Sequence, residues 1–370
     1  MIGLFLSALM SAVNVLTDVS RKKVLDRSYD AVLISFWCKV IAIAAFGGAL
    51  GALWLAGTPP GLPDLGQAFA RMGINLPTPV AFVLYLAVNA LLEGSAIVLN
   101  LRALQISPIS YCLPFIALTP LFLLPAGMIF LGEKPVAGMT VGVVIVVVGS
   151  LVVNRALFAN GVLEPAKAIL RNKGSRYMLC VSVLLTFTNV LDKWFVSGGG
   201  DVAFAERLSR SITLSFGKGV LLALFFLGLT IFRFRRMPVA TRPDWLPVFR
   251  DVPRWIVLAG VFEAIVLVLQ LTAMQFTVAA LVISIKRSGI VLAVFLGWLI
   301  FKERNITDRV IASFVMLCGV LIFFLTKPDA NGHALIGLHG ALAVAGATLT
   351  GLAVVLWLTH ARTSPAKTES

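Results

Sequence analysis

From Met1 to His360 the chain is a succession of apolar runs, each close to the length of a membrane crossing and parted from the next by a short polar gap. A hydrocarbon core about 30 Å thick takes roughly 20 residues of α-helix to cross. No water reaches that depth, so a crossing segment must satisfy its own peptide groups, as a helix does. Strands of a barrel would alternate in polarity over about 10 residues, and these runs do not. They predict an all-α polytopic membrane protein with helices near 2–19, 30–56, 79–101, 107–131, 136–153, 177–197, 203–232, 255–275, 278–301, 307–326 and 335–359. A water-soluble reading fails on composition. Only 13% of residues are charged and 59% are hydrophobic, whereas a soluble domain carries about 25% charged residues.

The formal net charge of +14 does not point to nucleic acid, because the basic residues lie mostly between apolar runs, where they orient helices. The gaps after the first, fifth, seventh and ninth runs hold most of them: Arg21, Lys22, Lys23 and Arg27; Arg155, Lys167, Arg171, Lys173 and Arg176; Arg233 through Arg254; and Lys302, Arg304 and Arg309. Alternate gaps hold few, such as Arg71, Lys134 and Lys327. Basic gaps face the cytoplasm, which places the N-terminus outside and, after eleven crossings, the C-terminus inside. The expected location is a plasma membrane, the inner membrane in a bacterium. No cleavable signal peptide is expected, since the first run leads straight into Arg21–Lys23 without a small-residue cleavage site. Cys38, Cys112, Cys180 and Cys318 all sit within apolar runs without CxxC spacing, so neither a disulfide framework nor a metal site is expected.

The chain repeats itself. At a shift of 170 residues Glu93 falls on Glu263, Gln105 on Gln275, Gly127 on Gly297, Glu133 on Glu303 and Gly149 on Gly319. The first and sixth runs register at a shift of 175, Asn14-Val15-Leu16 against Asn189-Val190-Leu191. Acidic and amide residues rarely coincide by chance inside apolar helices. Residues 1–153 therefore form a first five-helix unit and 177–326 a second. A basic connector at 154–176 joins them, an additional helix at 335–359 follows, and 360–370 form a tail. Five is odd, so the second unit enters the membrane in the opposite sense. Inverted repeats of this kind characterise secondary transporters that bind substrate near the midplane between units.

The segment SPISYCLPFIALTPLFLLPAGMIFLGEKP, ending in Gly132-Glu133, and its second copy ISIKRSGIVLAVFLGWLIFKE at 283–303 resemble the fourth and ninth helices of EamA-type carriers of the drug/metabolite transporter superfamily. The resemblance covers roughly 1–326. It implies ten helices around a central cavity and alternating access. The helix at 335–359 lies outside that core, and family members with ten helices place both ends in the cytoplasm, unlike the charge count here.

Charge inside the bilayer is costly, about 2.5–3.5 kcal/mol per residue on insertion scales, and so marks function or pairing. Lys286 and Arg287 lie about nine residues into the ninth run, some 13 Å at 1.5 Å per residue. They point about 100° apart, too far for one carboxylate to neutralise both easily. A planar guanidinium and a compact ammonium together suit phosphate. The pair also resembles one in plastid phosphate translocators, where it holds the substrate phosphate, although the fourth helix here lacks those carriers' basic residue. The competing reading is an ion pair with Glu263 or Glu93. Glu93 and Glu263 could instead carry a coupling proton, or pair with Lys39. Asp18, Asp192 and Lys193 read as anchors nearer helix ends, and Arg210 and Lys218, in the seventh helix, could face the cavity. Asn14, Trp37, Asn89, Asn100, Tyr111, Asn189 and Gln270 could line the cavity or join helices through hydrogen bonds.

The expected function is a secondary transporter that moves a small organic anion, phosphorylated ones included, by alternating access. Its partners would be a small-molecule substrate, membrane lipid and a coupling proton or counter-substrate. Two alternatives stay open: an exporter of neutral or zwitterionic metabolites, and a translocase for lipid-linked or phospholipid head groups. No HExxH, nucleophile elbow, Walker motif or cofactor fingerprint supports an enzyme or a bound cofactor.

Overall fold

The structure is a computed structural model, and it describes residues 2–25, 30–62, 77–106, 116, 118–152, 173–197, 202–238, 247–289, 292, 307–326 and 334–363. Its main helices are α1 (Ile2–Leu25), α2 (Ala31–Leu55), α3 (Thr78–Ile106), α4 (Thr119–Leu131), α5 (Ala137–Val152), α6 (Lys173–Ser197), α7 (Phe204–Arg236), α8 (Pro253–Met274), α9 (Ala279–Ser288), α10 (Thr307–Thr326) and α11 (Leu338–Thr363). A short turn of helix, Pro247–Asp251, leads into α8. No strand occurs among the described residues. Six of these helices, α1, α2, α3, α6, α7 and α8, are long and apolar enough to cross a bilayer. The chain is a polytopic α-helical membrane protein.

The boundaries differ from expectation at several ends: α3 runs on past residue 101 to Ile106, and α7 past residue 232 to Arg236. α1 continues past residue 19 to Leu25, so Arg21 belongs to the helix and not to a gap. α6 begins at Lys173, which makes the last residues of the expected connector helical. α11 ends at Thr363, inside the expected tail. Tyr111 and the rest of 107–115, the connector at 154–172, residues 293–306 with Glu303, and 364–370 lie outside the described residues.

Burial follows from the solvent. Large apolar side chains project outward, among them Phe5 (68% exposed), Leu55 (82%), Ile129 (74%) and Phe314 (66%). In water such a surface would drive association; lipid covers it without penalty. The interior is organised around α9, whose residues Ala279, Ala280, Leu281 and Val282 are fully buried and pack with Leu4, Met10, Leu123, Val146 and Phe323. α1 packs on α8, α3 on α6, α2 on α7 and α5 on α10, while α11 lies against α10 and α5.

Small residues set the closest helix pair. A β-carbon on Gly319 would lie 2.8 Å from Val146 Cγ2 and 2.9 Å from the Gly142 carbonyl, and one on Gly142 would run into the Phe323 ring. Backbones this near permit no side chain at either position, the packing that small residues provide in membranes. Helix directions are fixed by contacts just past the C-terminal end of α8. Gly3, at the start of α1, lies against Phe276, and Lys193, near the end of α6, donates to the Thr277 carbonyl at 2.6 Å. The start of α1 and the end of α6 therefore share one face of the bundle, and the two helices run in opposite senses.

Candidate functional site

Two of the polar systems among the described residues hold most of the expected site residues. The first is a ladder of alternating charge across six helices. Arg21 (α1) meets Glu263 (α8) at 2.6 Å, Glu263 meets Lys39 (α2) at 2.7 Å, and Lys39 reaches Glu93 (α3) at 3.8 Å. Glu93 then meets Lys218 (α7) at 2.8 Å, and Lys218 meets Asp192 (α6), donating to both carboxylate oxygens at 2.8 Å. Asn89 closes the series, donating to Asp192 at 2.7 Å and to the Tyr85 hydroxyl at 3.1 Å. Three cations face three carboxylates, so the ladder neutralises itself. An isolated charge in this setting would cost several kcal/mol; each group here has at least one opposite neighbour. Lys218 is 1% exposed.

The ladder crosses the membrane obliquely. Arg21 is four residues, about 6 Å, from the C-terminal end of α1, and Asp192 is about 8 Å from that of α6. Those ends lie on opposite faces, as the contacts of Gly3 and Lys193 require. At its centre Lys39 stands to Glu263 as Lys218 stands to Glu93, and the two glutamates are the residues in register at 170.

The second system surrounds the basic pair in the last described turn of α9. Lys286 donates to Gln270 Oε1 at 2.8 Å; Gln270 Nε2 donates to Asn189 Oδ1 at 3.0 Å; Asn189 in turn donates to the Leu185 carbonyl at 2.5 Å. Neither Lys286 nor Arg287 forms an ion pair of 4.0 Å or less among the described residues, and the buried Arg287 Nε has no hydrogen-bond partner. Asp18 of α1, which accepts from Asn14 at 3.2 Å, interacts electrostatically with both at longer range. Lys286 also interacts at long range with Glu93 and Arg21 of the ladder, which carry opposite charges, so the two cations against the Asp18 carboxylate leave one positive charge over. α1 and α9 approach closely here: the Ser11 hydroxyl lies within 3.5 Å of the Lys286 carbonyl, and a β-carbon on Gly289 would meet Ser11 Oγ at 2.6 Å.

The expected site residues thus divide. Lys286, Arg287, Gln270, Asn189 and Asn14 belong to the cationic system, and Glu93 and Glu263 to the ladder, where their partners are Lys39, Lys218 and Arg21 rather than the basic pair of α9. The Trp37 ring meets Phe249 edge-on at 4.8 Å and packs against the apolar cluster of Val24, Ile34 and Cys38. Asn100 lies half-buried on α3, two turns beyond Glu93, and joins neither system. Tyr111 lies outside the described residues. Asp192 and Lys193 are not interfacial anchors: Asp192 is 3% exposed within the ladder, and Lys193 pairs with Glu133. Glu133 also accepts from the Ala279 amide at 3.0 Å. It thereby satisfies one of the free N–H groups at the start of α9 and pins the helix that carries the basic pair.

Arg21 is the ladder member with no place in the sequence-based expectations; Lys218 was expected only to face the cavity, and Asp192 only to anchor a helix end. Arg21 was hidden by its place in a basic gap. Lys218 carried a signal, a lysine deep in an apolar run, but nothing in the sequence names its partners. Among the described residues no cluster of metal-ligating side chains occurs.

No protein-family model matches the chain, and no curated protein does. Among solved structures, one described only as "Crystal structure of protein" is 17% identical to the chain, covers 88% of it and 95% of its own length, and superposes with a TM-score of 0.57. At that identity the likeness is one of fold.

Proposed function

We propose that this protein is a secondary transporter of small organic anions, phosphate esters foremost, working by alternating access between two inverted five-helix units, α1–α5 and α6–α10, with α11 as an addition to that core. The observation that carries the proposal is the imbalance in its interior. Lys39, Lys218 and Arg21 are neutralised within the ladder, whereas Lys286 is held by the Gln270 amide, the Arg287 Nε has no hydrogen-bond partner, and neither cation has a carboxylate at ion-pair distance among the described residues. Buried cations kept in that state are stabilised by an anion that comes and goes. A mobile phosphate or carboxylate supplies the missing charge, Arg287 offering its planar fork and Lys286 a point charge.

The helix pairing supports the two-unit reading. Exchanging one unit for the other carries the α1–α8 contact onto α6–α3, carries α1–α9 onto α6–α4, and returns α2–α7 and α5–α10 to themselves. The opposed directions of α1 and α6 agree with inversion. Residue resemblance to EamA-type carriers is part of the same proposal, as is a plasma-membrane location with the N-terminus outside and the C-terminus cytoplasmic. The ladder is then the hinge between units: Arg21–Glu263, Lys39–Glu263, Glu93–Lys218 and Asn89–Asp192 each join a residue of the first unit to one of the second, and rocking one unit against the other must break or lengthen some of them.

The test is thermal stabilisation of the purified protein by phosphate esters and by their neutral parent alcohols. A ligand of the native state at a hundred times its Kd adds about 2.7 kcal/mol. The esters should raise the unfolding temperature, the alcohols should not, and Lys286→Ala and Arg287→Ala should each abolish the effect. Ester stabilisation that survives both substitutions refutes the assignment, and stabilisation by amphiphiles alone favours the lipid-headgroup alternative.

A further inference from the structure

A separate cavity of about 340 Å³ lies between α3, α4 and α6, within the 300–1,000 Å³ range of small-molecule sites. Its walls include Leu84, Tyr85, Val88, Leu131, Val190 and Trp194. Leu84 and Val88 are also among the outward, lipid-facing side chains, 46% and 45% exposed, so the cavity opens sideways into the bilayer. The Tyr85 hydroxyl at its floor is already engaged, accepting from Asn89, while the Tyr85 ring stacks on Phe195 at 5.1 Å. What remains on offer is hydrocarbon and aromatic face.

Shape and position narrow the occupant. Trp194 lies three residues from the end of α6 and Val88 ten residues from the start of α3, so the walls extend from about 5 to about 15 Å below the helix ends. Such a slot runs parallel to the helices and begins near the membrane boundary, as an extended acyl chain does. Just past the end of α4, three residues beyond the lining Leu131, stands the exposed Lys134. The neighbouring Glu133 is already matched by Lys193, which leaves the Lys134 charge uncompensated among these three groups.

We propose that the cavity between α3, α4 and α6 holds an acyl chain of an anionic membrane phospholipid whose phosphate pairs with Lys134. This site is distinct from the cationic pair on α9 and does not depend on the cargo proposed above. Its floor touches the ladder through Tyr85, Asn89 and Asp192, so an occupied slot would hold the end of the ladder in place.

The probe is a phospholipid brominated on its acyl chain, since bromine quenches tryptophan fluorescence on contact. The full-length protein is placed in nanodiscs of phosphatidylcholine containing a small mole fraction of brominated phosphatidylglycerol or, separately, brominated phosphatidylcholine. The signal of Trp194 is taken as the difference between the native protein and Trp194→Phe. Brominated phosphatidylglycerol should at least halve that signal at a mole fraction where brominated phosphatidylcholine leaves it nearly unchanged, and Lys134→Gln should erase the difference between them. Lys134 is exposed and its substitution leaves the bundle intact. Equal quenching by both lipids identifies ordinary annular contact and overturns the proposal, as does no quenching by either. Preference for phosphatidylglycerol that persists in Lys134→Gln overturns the headgroup assignment.

Discussion

Lys218→Met removes the most heavily used cation of the interior. Lys218 makes contacts of 2.8 Å to Glu93 and to both oxygens of Asp192. At an effective dielectric of 20 a single 2.8 Å charge pair is worth about 6 kcal/mol before desolvation is counted. The measured cost of removing one partner of a buried pair is about 3–5 kcal/mol, most of it the penalty of the charge left behind. After Lys218→Met, Glu93 retains only Lys39 at 3.8 Å and Asp192 retains only Asn89. Lys39→Met is the natural comparison, because there Glu263 keeps Arg21 at 2.6 Å and Glu93 keeps Lys218 at 2.8 Å. Its cost should be nearer that of one hydrogen bond to a charged group, about 1.5–3 kcal/mol. At about 2 °C per kcal/mol, the scale of larger domains, Lys218→Met should lower the unfolding temperature in detergent by about 6–10 °C and Lys39→Met by roughly half as much. Asp192→Asn added to Lys218→Met restores neutrality at that end and should recover a substantial part of the loss. Equal losses for the two lysines, or no recovery in the double variant, would refute the ladder as the source of this stability.

Other expectations follow from packing and polarity. Gly142→Leu forces α5 away from α10, since even a β-carbon collides with Phe323; overpacking costs about 1–3 kcal/mol, which thermal unfolding of the purified variant should register. Gln270→Leu removes the carbonyl that holds Lys286 and should weaken ligand stabilisation about tenfold in Kd without unfolding the protein, as a titration of unfolding temperature against ligand would show. Reporter fusions after Lys327 should be extracytoplasmic and fusions at the C-terminus cytoplasmic; a cytoplasmic reporter after Lys327 would contradict the charge-based orientation.

Helix positions were legible in the sequence because lipid imposes one rule, that every crossing run satisfies its own backbone, and an apolar run is visible without knowing its neighbours. The 0.57 TM-score likeness to a solved structure of 17% identity fits a fold set by that pattern more than by particular residues. Pairing was far less legible. The register of Glu93 on Glu263 marks both as special, yet their partners come from α1, α2 and α7, and which helix faces which is decided by tertiary packing. Asp192 shows the same limit. Its position five residues before the end of α6 suggested an interface, but α7 brings Lys218 beside it and buries both. Trp37 shows it too: nothing in its apolar run foretold that Phe249, more than 200 residues on, would meet its ring.

Flux through the reconstituted protein tests the central proposal most directly. Proteoliposomes loaded with a phosphate ester and presented with the same ester, isotopically labelled, should accumulate label by exchange. The uptake should fall to the level of empty liposomes in both Lys286→Met and Arg287→Met, and should persist in Trp37→Phe, whose ring lies in the apolar cluster. Exchange of phosphate esters undiminished in both α9 variants would contradict the account, whatever else the protein carries.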